Sequence, residues 1–232
     1  MRRLILAALL TALAGVAHAQ SWLDQPGAAG TTVVQVGEAK VTLPPGDWTQ
    51  VAQTTRTHAG DLIPLEQRIF IQTQGNQIAA VAYLTANGKP ADTPKGFLPN
   101  RACFRDDVFL NDSKDLYPGQ FDCLIVNHDT LFWNHEPQPI WKAAIEAMKA
   151  FGGTPHPVLT VELFKASPSR EGYASLWIGV NPALSGFKST ANIAWANSEW
   201  NKNNTTPDRV AFLKKLAAWG EAYRPVFGKS WE

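Results

Sequence analysis

Hydrophobic positions recur along this chain with two different periods, and the order in which the periods appear predicts its architecture. From Val33 the apolar residues alternate. Ala39, Val41 and Leu43 share one face of a strand with Lys40 and Thr42 on the other. Pro44-Pro45-Gly46-Asp47 is a turn cluster, and Trp48 to Thr55 reads as a second strand, polar enough to lie at a sheet edge. Leu65 to Thr73 and Ile78 to Thr85 form the clearest unit. They flank Gly75-Asn76, a two-residue loop of the kind that closes a tight β-hairpin.

Ala86 to Pro99 is rich in Gly and Pro and reads as a loop. An acidic stretch follows, Arg105 to Asp122, ending in a short strand on which Phe121, Cys123 and Ile125 alternate. The period then changes. After Pro139, Trp141, Ala144, Ile145 and Met148 fall at helical spacing, and Gly152-Gly153 ends the run. Leu159, Val161 and Leu163 restore the alternation, and Tyr173 to Val180 completes a second hairpin with a longer loop. Thr190 to Asn201 is read as a partly buried amphipathic helix. A last helix starts at Thr206-Pro207-Asp208, with a capping hydroxyl, a proline suited to the first turn and an acid at the positive end of the dipole. Phe212, Leu216, Trp219 and Tyr223 make its stripe, and Pro225 and Gly228 are expected to end it. Adjoining hairpins with few helices predict an α+β fold, a mainly antiparallel sheet packed by two or three helices including a C-terminal one.

The N-terminus changes where this fold is expected to work. Arg2 and Arg3 precede an apolar run from Leu4 to Val16, and Ala17-His18-Ala19 supplies a small-x-small ending. That is the layout of a cleaved secretory signal, and the run is too short for a bilayer core, which takes roughly twenty residues. The expected division is residues 1–19 as signal peptide, 20–32 as a flexible leader with no core of its own, and 33–232 as one domain. The expected location is the periplasm, as a soluble protein. No cysteine lies near the cleavage point to carry a lipid, and no later segment is apolar enough to span a membrane.

The full chain has 21 basic and 20 acidic residues, and loss of Arg2 and Arg3 leaves a net charge of −1. A charge this small argues against nucleic acid or an anionic lipid surface as partner. Cys103 and Cys123 are the only cysteines, and in an oxidising compartment they are expected to pair.

Sequence motifs for chemistry are sparse. His135-Glu136 runs into prolines rather than an HExxH helix, and CxxC, GxSxG and phosphate-loop patterns are missing. Ser185 and Lys188 match S-x-x-K without its companion elements. His128 and His135, each beside a carboxylate, are the candidate metal ligands or general base, although seven positions place them on opposite faces of a straight strand. The acidic stretch reads as a solvated surface. Tryptophan is abundant at nine residues. Trp195 and Trp200, with Asn197 between them, are the candidate binding residues, because rings beside amides suit sugars or peptides. The preferred reading is a non-catalytic binding or envelope-associated protein without a cofactor. Its partner would be a small molecule, glycan, peptide or envelope protein. The alternative is a metal-dependent or other hydrolase using His128 and His135.

Overall fold

The computed structural model describes residues 20–57, 63–90, 96–99, 101–117, 119–129, 138–150, 156–157, 159–167, 169, 171–189 and 194–231. Within them lie β1 (Val33–Val36), β2 (Ala39–Thr42), β3 (Thr49–Thr57), β4 (Pro64–Gln74), β5 (Gln77–Asn87), β6 (Leu110–Tyr117), β7 (Gln120–Asp129), α1 (Pro139–Ala150), β8 (Leu159–Ser167), β9 (Ala174–Val180) and α2 (Pro207–Gly228). β1 and β2 form a separate ribbon. The other seven strands make one sheet in the order β3-β4-β5-β9-β8-β7-β6, with every neighbouring pair antiparallel. The α+β expectation is met. The Gly75-Asn76 hairpin is present as read, with Gln74 opposite Gln77 and Gly75 at φ 60°, a conformation cheap only for glycine.

Strand alternation sorts the sheet into two faces. Phe70, Leu84, Leu124, Val126, Phe164, Leu176 and Ile178 point to one side. There α2 covers them with Phe212, Leu216, Trp219, Tyr223 and Phe227. On the other side α1 lays Ile140, Trp141, Ala144 and Met148 against Ile69, Ile71 and Val81. A third cluster on that side holds Ile63, Leu65, Phe97 and Phe121 around the Cys103–Cys123 disulfide, whose Cα atoms are 5.6 Å apart. No helix among the described residues is long and apolar enough to cross a membrane.

Four expectations need correction. Residues 20–32 are no leader without a core. The Gln20 amide donates to the carbonyls of Ala79 (2.6 Å) and Asn181 (3.0 Å), and Trp22 is buried against Trp219 with ring centroids 4.5 Å apart. The Gly and Pro content of the segment hid these two anchors.

The acidic stretch contains strand β6, and its carboxylates are not merely solvated. Arg224 of α2 pairs with Asp122 (2.7 Å) and Asp112 (2.5 Å), clamping the helix to the sheet edge.

Pro225 does not end α2. A proline in the last turn removes one ladder bond, and the helix continues because Phe227 is buried against Phe164 at 5.6 Å.

The segment ending at Asn201 is not a helix over its described part. Only Trp195–Asn197 makes a single 3₁₀ turn, and residues 190–193 lie outside the described residues. Here the Ser198 hydroxyl accepts from the Trp200 N–H, and the Asn201 side chain accepts from the Asn203 N–H. These local bonds compete directly with a helical ladder.

Candidate functional site

His128 lies near the end of β7, on the α2 side of the sheet, and is only 3% exposed. Its ring stacks on Trp195 with centroids 5.1 Å apart and planes 5° from parallel. The Trp195 indole donates to the His128 carbonyl at 3.1 Å, and the Arg105 guanidinium sits 4.9 Å from the Trp195 ring. Burial pulls the His128 pKa down to about 4, assisted by Arg105 and opposed by the Trp195 carbonyl and Glu199. At neutral pH this imidazole is uncharged. His135 lies outside the described residues, and among those described no three His, Cys, Asp or Glu side chains are grouped as a metal would need.

The tryptophan pair is split between two surroundings. Trp195 is half-buried in the His128 stack, and Asn197 is exposed. Trp200 is 1% exposed, wedged between Phe187 and Phe212, and its indole donates to Ser189 at 3.1 Å. The Trp200 ring faces are therefore occupied by protein. Ser185 closes a 3₁₀ turn and Gly186 follows at φ 87°, so Ser185 and Lys188 do not share a helix face.

A different set of residues converges on the α1 side of the sheet. Six strands each present one residue there in a continuous register. Thr54 of β3 pairs with Gln67 of β4, Gln67 with Thr85 of β5, and Thr85 with Ser175 of β9. Ser175 then pairs with Lys165 of β8, and Lys165 with Cys123 of β7. Apolar residues flank this row on both sides. Tyr83, Trp177 and Leu163 lie two positions away in one direction, and the disulfide cluster with Leu65 and Phe121 in the other.

Gln67, Thr85 and Ser175 are buried despite their polarity. Burial of such groups is costly unless they are hydrogen-bonded. They are satisfied largely by two tyrosines from the flanking rows. The Gln67 amide donates to the Tyr83 hydroxyl, which also bonds Thr85, and the Tyr173 hydroxyl bonds Ser175. Burial holds both phenols above their ordinary pKa. Lys165 is half-buried in the middle of this arrangement. Its pKa falls to about 8, first through burial and then through the Arg56 guanidinium, and no carboxylate among the described residues acts on it.

Beside the row is a cavity of about 160 Å³. Ile125, Val161, Leu163 and Trp177 give it an apolar floor, and Arg105, Asn127 and Asp129 stand at its far rim. Trp177 lies in the floor because Gly179 leaves room for it. A Cβ there would sit 2.5 Å from the end of the indole. Trp141 of α1 packs edge-on to Trp177 at 6.1 Å and to Tyr83 at 4.9 Å, holding the Trp177 ring from the helix side. An apolar floor bordered by a few converging polar groups is the usual composition of a small-molecule site.

No protein-family model, curated protein or solved structure matches the chain. What the site can do has to be read from its own chemistry. It offers hydroxyl and amide donors, a guanidinium, and an amine able to change charge near pH 8. The strand patterns held a signal for it. Gln67, Thr85, Ser175 and Lys165 each interrupt an apolar alternation at a position where an apolar residue belongs. Only the register brings the four interruptions into one line.

Proposed function

We propose that the chain is an exported, periplasmic binding protein that holds a small molecule on the α1 side of its sheet, without catalysis. The observation carrying this reading is the in-register row Gln67–Thr85–Ser175–Lys165 beside the Ile125, Val161, Leu163 and Trp177 cavity. A sheet gains no stability from polar residues in the middle of an apolar face. Export draws its support from Arg2-Arg3, the apolar run and Ala17-His18-Ala19, and from a disulfide that suits an oxidising compartment. The hydrolase alternative rests on His128 and His135, and the neutral, stacked packing of His128 gives it no support.

A thermal-shift screen of the mature protein against small organic molecules tests the binding reading, with Leu163→Trp as the cavity-filling control. A ligand at a hundredfold excess over its Kd raises Tm by about 5–10 °C, and the rise is lost in Leu163→Trp. Ligands that stabilise both proteins equally contradict the site. For export, the mass of the protein recovered from the periplasm is expected to begin at Gln20. An intact N-terminus there contradicts cleavage.

A further inference from the structure

We propose that the ligand is a single-ring aromatic carboxylate, its ring on the Ile125, Val161, Leu163 and Trp177 floor and its carboxylate held by Lys165 and Arg56. This rests on the binding reading above and gives that site its ligand class. Three observations carry it.

The first is charge. The positive charge of Arg56 acts unfavourably on that of Lys165, and among the described residues no carboxylate offsets it. Two cations held together in a partly dehydrated place are stabilised by an anion. The neighbouring hydroxyls of Tyr83, Thr85, Tyr173 and Ser175 can turn a donor toward a carboxylate.

The second is size. A cavity of about 160 Å³ with an apolar floor matches one aromatic ring, since an apolar void of about 150 Å³ accommodates benzene. Trp177 supplies an aromatic ring against which it can pack, itself held in place by Trp141.

The third is orientation. Lys165 lies two residues beyond Leu163 on the same face of β8, about 7 Å along the strand, so a short alkyl arm joins the two subsites. At the opposite rim the Arg105 guanidinium is already paired with Asp107 at 2.6 Å. The acid end of a ligand is thus directed to the Lys165 end.

Calorimetric titration of the mature protein with 3-phenylpropanoate and with its neutral amide, 3-phenylpropanamide, tests the inference. The carboxylate is expected to bind about tenfold or more tightly than the amide, as one charge-assisted contact allows. Lys165→Met should remove that preference, whereas Lys165→Arg retains most of it. Equal affinity of the unaltered protein for acid and amide overturns the anionic class while leaving the binding site standing. Binding of neither probe overturns the aromatic-carboxylate class as a whole, and the Leu163→Trp screen judges the site separately. Should Lys165→Met fail to fold, the comparison of acid with amide on the unaltered chain still decides.

Discussion

Lys165 owes its pKa of about 8 to burial and to Arg56, and that value carries a direct consequence for binding. A carboxylate is held by the protonated amine. Affinity for 3-phenylpropanoate is therefore expected to be level up to about pH 7 and to fall as pH rises through 8. The phenols of Tyr83 and Tyr173 titrate above their usual range, so they do not produce the fall. Titrations at pH 7 and pH 9 check this, and equal affinities contradict it. His128 works in the other direction, on stability. Its folded pKa of about 4 lies below the unfolded value of 6.5, so the unfolded chain binds the proton more tightly. The contribution is complete above about pH 6.5 and is lost as pH falls toward 4, amounting to roughly 3 kcal/mol. Urea denaturation at the two pH values should show the loss, and His128→Gln should reduce it. At this scale little was legible in the sequence. Trp200 and Trp195 look alike as letters, yet one is core and the other stacks on His128.

The elements were more readable, because period and turn chemistry are local properties. The Gly75-Asn76 hairpin, α1, the β8–β9 pair and the start of α2 all follow from them. Long-range partners decided the rest. Docking of residues 20–24 depends on Ala79, Asn181 and Trp219, and the persistence of α2 past Pro225 depends on Phe164. Trp22→Ala is accordingly expected to cost about 3–5 kcal/mol, the range for a large buried aromatic. A denaturation midpoint unchanged from the parent would contradict a docked N-terminal segment. The disulfide ties the 3₁₀ turn Arg101–Phe104 to β7 across a sequence separation of 20. Reduction is expected to cost about 3 kcal/mol in the chain-entropy picture, or roughly 6–12 °C in Tm. Melting curves that coincide with and without reductant would contradict a structural role.

Over the whole molecule, the sheet separates a face filled by core packing from the face that carries the proposed site. One face is filled by α2, with the β1–β2 ribbon and Trp22 completing the same core. The other is covered by α1 over β3 and β4, while β8 and β9 carry the cavity and the row through Lys165 beside it. The site could not be found one strand at a time, since its polar residues are spread from Thr54 to Ser175 and are collected by register alone. The most direct measurement of this division is amide chemical-shift mapping of the labelled mature protein titrated with 3-phenylpropanoate. The account expects the largest changes at Tyr83–Thr85, Leu163–Lys165 and Ser175–Trp177. Changes centred on Trp195–Trp200 or on α2, with those three stretches unmoved, would contradict it.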